Sequence, residues 1–84
     1  MKPIRLSDHA ARYSEKRGFS VAEVEAAIRT ASWRPAELGR LECEKDFPYD
    51  KQWNGKTYSI KRVRPVLVDE PAEIVVVTVY TSYF

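Results

Sequence analysis

The chain has 84 residues, 44% of them hydrophobic, and a net charge of +2, which suffices for one core and is too short to close a second. That apolar share argues against wholesale disorder, and so small a net charge does not by itself mark a nucleic-acid binder. A single cysteine, Cys43, and a single histidine, His9, exclude an internal disulfide and a cysteine-based zinc site and leave too few ligands for a structural metal site.

No apolar run follows Met1-Lys2-Pro3, so neither a signal peptide nor a membrane span is expected and the cytoplasm is the expected compartment. The charges are unevenly spread. Residues 1–20 carry Lys2, Arg5, Arg12, Lys16 and Arg17 against Asp8 and Glu15, whereas residues 21–50 carry four basic residues against seven acidic ones. Residues 51–84 are basic again, through Lys51, Lys56, Lys61, Arg62 and Arg64. A first helix lying beside the strand that holds Lys61–Arg64 would form a modest positive patch. The plainer reading is a solvated mixture of surface charges.

In chain order, Ile4 and Leu6 can pack, and Ser7 suits an N-cap because its hydroxyl can accept from a first-turn amide. Asp8 behind it favours the positive helix terminus. A helix over residues 8–17 follows, with Leu6, Ala10, Tyr13 and Arg17 on one stripe and His9, Arg12 and Lys16 on the next. Gly18 fits the left-handed position that ends many helices. Ser20 and Glu23 form an S-x-x-E capping box with Phe19 as a staple, opening an amphipathic helix expected to bury Val21, Val24, Ala27/Ile28 and Ala31 and to end near Ser32. Residues 33–56 are punctuated by Pro35, Gly39, Pro48 and Gly55. Arg40–Glu44 alternates like a short strand, Asp46–Trp53 reads as a packed-down loop, and Asn54-Gly55 signals a two-residue turn.

Lys56–Val68 predicts a long strand. Tyr58 and Ile60 are out of phase with Val63 and Leu67, which predicts a bulge or sharp bend near Lys61-Arg62. Pro65 cannot donate to a ladder, so an irregular or edge position is expected for it. After a turn at Asp69–Ala72, Glu73–Phe84 contains nine consecutive residues without charge, Gly or Pro, rich in Val, Thr and Tyr, which predicts a central strand. Its hydroxyl-rich far end, Thr78–Tyr83, is where a site is expected. The elements sum to an α+β fold: two N-terminal helices packed on a twisted antiparallel sheet of three to four strands.

Neither a phosphate-binding loop nor a dinucleotide fingerprint nor a Ser-His-Asp set occurs, so no cofactor is expected. One constellation remains: His9, Arg12 and Arg17 from the first helix, Lys61, Arg62 and Arg64 from the long strand, and Thr78, Tyr80 or Thr81 from the last. Metal-free RNA cleavage needs a base for the 2′-hydroxyl proton, a cation for the phosphorane charge and an acid for the leaving oxygen, and these residue types suit those roles. The bland readings are a helix histidine bonded to Thr or Tyr and arginines paired with neighbouring acids. Tyr49, Trp53 and Tyr58 beside Lys51 and Lys56 read either as a stacking platform or, preferably, as the lid of a small core.

The segment Ile4-x-Leu6-Ser7-x-His9-Ala10, with Arg12, Lys16-Arg17-Gly18-Phe19-Ser20, Glu23-Val24 and Ala27-Ile28, and the closing Thr78-Val79-Tyr80, resembles a small bacterial domain family of unknown function. Arg12 falls one residue earlier than the first arginine of that pattern. The resemblance covers roughly the first thirty and last ten residues, and the family is similar to the RelE/ParE and BrnT toxin folds. It implies a RelE-like fold, a ribonuclease-toxin activity, RNA and an antitoxin-like protein as partners, and His9, Arg12, Arg17 and Thr78–Tyr80 as site positions. On this reading His9, Arg12 and Tyr80 are catalytic, and Arg17, Lys61, Arg62, Arg64 and Thr78 bind substrate. The competing reading is a non-catalytic protein- or nucleic-acid-binding module. A His9 ring within hydrogen-bond reach of a cation and a hydroxyl would separate the two.

Overall fold

The computed structural model describes residues 2–84. Its N-terminal half follows the local code. The Ser7 hydroxyl accepts from the Ala10 amide at 3.1 Å and caps helix α1, Asp8–Arg12. The single helix expected over residues 8–17 is instead two short ones. At Tyr13 (φ −94°, ψ 4°) the amide turns to the Ala10 carbonyl, and α2, Ser14–Arg17, starts afresh. Gly18 closes α2 at φ +77°. The capping box opens α3, Val21–Thr30: the Ser20 hydroxyl accepts from the Glu23 amide at 3.1 Å, and the Glu23 carboxylate accepts from the Ser20 amide at 2.9 Å.

The sheet overturns the expected architecture. It has six strands rather than three or four, and it is mixed, not antiparallel. The strands are β1 (Ile4–Leu6), β2 (Arg34–Pro35), β3 (Leu41–Glu42), β4 (Lys45–Trp53), β5 (Lys56–Asp69) and β6 (Ile74–Tyr83). Their order is β1-β6-β5-β3-β2, with β4 also pairing with β5 beyond the end of β3. The helices number three short ones. The missed strand β1 runs parallel to β6, Ile4 opposite Ile74 and Leu6 opposite Val76. Ser7 extends the seam, donating its amide to the Val76 carbonyl at 2.9 Å and its hydroxyl to the Val77 carbonyl at 3.0 Å.

Asp46–Trp53, expected as a loop, lie in β4. The reason they do not read as a strand is a register shift between Pro48 and Lys51, where Asp50 sits at φ +48°. Among the described residues β4 pairs with β5 alone, and Pro48 together with the bulge keeps its outer edge irregular. Asn54 (φ +50°) and Gly55 (φ +81°) make the predicted turn, with the positive angles of a type I′ hairpin. The β5–β6 register runs unbroken through Lys61 and Arg62, so the predicted irregularity is displaced: one shift lies in β4, the other at Val77 in β6, where Val66 faces Thr78 but Leu67 faces Val76. Pro65 meets the break between β3 and β4. The ladder with β3 stops at Glu42–Val66, that with β4 starts at Lys45–Val63, and only the Cys43 amide bridges to the Pro65 carbonyl.

The Val77 bulge decides what the last strand presents to each face. Ile74, Val76 and Val79 are buried on the helix side, followed by Thr81 and Tyr83, whose hydroxyls both donate to the Arg17 carbonyl. The extra residue sends Thr78 and Tyr80 to the opposite face, beside their cross-strand partners Val66 and Arg64. All three helices lie on one side. Ala10, Val24, Ala27 and Ile28 pack against Val63, Leu67, Val76 and Val79, each buried aliphatic side chain of the Val, Leu or Ile type contributing roughly 1.5–3 kcal/mol. No helix among the described residues is long and apolar enough to cross a membrane.

Gly18 tests the corner on which this packing turns. A Cβ there would meet the Tyr83 hydroxyl and lie 2.6 Å from the Trp53 ring, at a backbone angle of φ +77°. Gly18→Ala is therefore expected to cost roughly 2–4 kcal/mol, combining left-handed strain with overpacking. Urea unfolding measures it, and a loss under about 1 kcal/mol, the ordinary cost of a point mutation, would contradict the geometry.

Candidate functional site

The structure splits the predicted constellation across the two faces of the sheet. Alternation along β5 puts Lys61 on the helix side and Arg62 and Arg64 on the other. Lys61 is buried. Its ammonium bonds the Gly18 carbonyl at 2.9 Å and the Glu23 carboxylate at 2.7 Å and lies 5.3 Å from the Tyr49 ring centre. It is a structural cation there, closed off from a phosphate. Arg62 donates twice to Asp46, at 2.6 and 3.0 Å, and covers the Phe84 ring at 4.9 Å. Thr81 is committed to the Arg17 carbonyl at 2.6 Å.

Tyr49, Trp53 and Tyr58 form a lid. Trp53 stacks on Tyr83 at 4.9 Å with 15° between the planes, and Tyr49 and Tyr58 approach the same ring at 5.2 and 5.7 Å. Burial pushes the Tyr83 phenol up to about 12, assisted by Tyr49 and Glu23, so it stays a donor to the Arg17 carbonyl.

What does come together is a row of alternating rings and cations. His9 lies on Tyr13, centroids 4.8 Å apart and tilted by 52°. The Arg17 guanidinium stands 4.4 Å from the Tyr13 ring centre and 5.2 Å from that of Tyr80. Arg64 stands 4.6 Å from Tyr80. Arg17 is held in place by Val79 and Thr78: its Nη1 donates to the Val79 carbonyl at 2.7 Å and to the Thr78 hydroxyl at 3.2 Å. This position exists because β1 pairs with β6 only as far as Val76, leaving that side of Val79 open to a side chain. Tyr80 is 44% exposed. Arg12 and the His9 ring, both exposed, make no hydrogen bond or ion pair among the described residues, so His9 is not within hydrogen-bond reach of a cation and a hydroxyl.

The row ends at Glu42, a residue the sequence reading placed only on the exposed face of a short strand. Arg64 Nη1 and Arg34 Nη2 both donate to its Oε2, at 3.0 and 3.1 Å. The hydrogen bond from Arg64 is the main cause holding this carboxyl below the usual value of 4.5, with both arginine charges adding to it. Beyond it opens a cleft of about 270 Å³ between the short 3-10 turn Glu37–Gly39 and the sheet, lined also by Arg40, Val66, Thr78 and Tyr80. Tyr13 was the other omission. Its spacing of four from both His9 and Arg17 is the signal that could have found it.

Searches against protein-family models, curated proteins and solved structures found no match to the chain.

The Glu42 pairing has a pH signature. A carboxyl whose folded-state pKa lies below its unfolded value stabilises the fold above that unfolded value and loses the contribution as pH falls through the folded one. Denaturant unfolding from pH 7 to pH 3 is expected to show wild type above Glu42→Gln at neutral pH, with the gap closing below about pH 4.5. A gap constant over the whole range would show that the ionised carboxylate adds nothing.

Proposed function

We propose that the protein is an RNA-binding module of toxin type, which takes unpaired nucleotides along the row Tyr13–Arg17–Tyr80–Arg64. The observation that carries this reading is the row itself: two tyrosine rings alternate with two guanidiniums at 4.4–5.2 Å, running from Tyr13 and Arg17 on the helix side, past the edge of β6 beyond the end of β1, to Tyr80 and Arg64 on the face the helices leave uncovered. Bases stack on aromatic rings and on guanidinium planes, and the same cations attract the phosphates between them. Arg17 enters no ion pair among the described residues, so its charge is not cancelled by a carboxylate.

Metal-independent cleavage of the bound RNA is a second reading, favoured by His9 at the end of the row against Tyr13. It requires the imidazole to gain a hydroxyl or phosphate partner from the substrate, since catalytic hydrogen bonds often tighten only in the complex.

Fluorescence anisotropy with a short unstructured RNA tests the first reading. Tyr80→Ala, at an exposed site, is expected to keep the fold and to weaken binding about 5- to 140-fold, the equivalent of roughly 1–3 kcal/mol for one stacked base. Affinity should also fall as salt rises. Absence of binding at low salt, or binding untouched by Tyr80→Ala, rejects the row as the interface. Incubating the same RNA with EDTA and either wild type or His9→Ala decides whether cleavage accompanies binding.

A further inference from the structure

We infer that the cleft beside Glu42 is a guanine pocket; the inference rests on the nucleic-acid reading above and supplies its base preference. Five residues lining the cleft carry it. Glu42 receives both arginines on Oε2, and among the described residues its Oε1 accepts no hydrogen bond. Arg40, between the 3-10 turn and β3, also lines the cleft, and its guanidinium has no ion pair or hydrogen-bond partner among the described residues. Thr78 uses an oxygen lone pair on Arg17, so its hydroxyl hydrogen is left to donate. Arg64 and Tyr80, the last members of the row, form the wall against which a ring can lie.

A cleft of about 270 Å³ is below the range of roughly 300–1,000 Å³ typical for drug-sized ligands, and suits one planar base. The hydrogen-bonding atoms then choose which. A carboxylate oxygen needs N–H donors, and a guanidinium needs acceptors in a pair. Guanine alone offers two N–H groups, N1 and N2, on one edge and two acceptors, O6 and N7, on the next. Adenine would turn its N1 lone pair toward the carboxylate, a repulsion that adds discrimination. At the rim, Leu38 is 85% exposed and held at φ +59°, a left-handed angle unusual for a residue with a branched side chain. Such strain is commonly kept at ligand sites, and here it leaves an apolar side chain where a bound base would cover it.

Isothermal titration with guanosine, adenosine, cytidine and uridine tests the pocket without a phosphate. Guanosine is expected to bind about 5- to 140-fold tighter than adenosine, the range set by one good bidentate pair, and Arg40→Met is expected to erase most of that preference. Because Arg40 has no partner to lose, the variant should melt with wild type. Glu42→Gln, which replaces an acceptor-only group by one that also donates, is the second variant and should lower guanosine affinity too. Equal binding of the four nucleosides, or a guanosine preference that survives both substitutions, overturns the inference. An RNA of adenines with one central guanine, set beside its all-adenine counterpart, separates the two levels. RNA binding blind to that guanine removes the pocket and leaves the row standing. Guanosine binding without RNA binding leaves the pocket and removes the row as an RNA interface.

Discussion

Two backbone carbonyls at the end of α2 hold the molecule together. Helix ends leave carbonyls without intrahelical partners, and here those of Arg17 and Gly18 are satisfied by the strands. Thr81 and Tyr83 of β6 donate to the first and Lys61 of β5 to the second. The guanidinium of the same Arg17 reaches back to the Val79 carbonyl. Helix pair and sheet are thereby clamped from both sides of one peptide corner. Gly18 is the residue that lets them meet, since a side chain there would occupy the space of the Tyr83 hydroxyl and Trp53. Arg17 belongs to the clamp and to the ring-and-cation row at once, its carbonyl in the one and its guanidinium in the other.

Lys61 shows how position rather than residue type assigns a cation its task. Three basic residues occur within four positions of β5, yet alternation sends one inward, and burial beside Glu23 turns it into part of the fold. Removing Glu23 would leave the buried Lys61 ammonium with the Gly18 carbonyl alone. Arg62 and Arg64 stay on the open face, the first paired with the exposed Asp46 and the second with the part-buried Glu42. A basic cluster counted along a strand therefore overstates the charge on either side of the sheet.

The punctuation of the fold was legible in the sequence. Ser7, the Ser20–Glu23 box, Gly18 and Asn54-Gly55 each satisfy backbone groups or angles within a few residues of themselves, and each does so in the structure. What escaped reading depends on distant partners. Three residues at Ile4–Leu6 form a strand only because Ile74–Val76 lies alongside, and nothing local distinguishes them from a loop. β4 hides behind Pro48 and a bulge, which break the alternation that marks a strand. Of the group the sequence offered, the structure brings His9, Arg17, Arg64, Thr78 and Tyr80 near one another and leaves Arg12 apart, Lys61 inside the fold, Arg62 on Asp46 and Thr81 on the Arg17 carbonyl. The one-residue bulge at Val77 sets which β6 side chains face outward, and the pairing of β3 with β5 brings Glu42 to the end of the row. Neither leaves a mark in composition or spacing.

The parallel seam between β1 and β6 also shapes how the chain can acquire its structure. It joins residues about seventy positions apart, Ile4 with Ile74 and Leu6 with Val76, and pairing across so long a loop is slow to nucleate. The first helices owe their burial to Val76 and Val79 of the same late strand. During synthesis the N-terminal third emerges with an amphipathic face and no sheet to cover it. Only the arrival of β6 closes the core, because it alone pairs with both β1 and β5 and carries Val76 and Val79 to the helices.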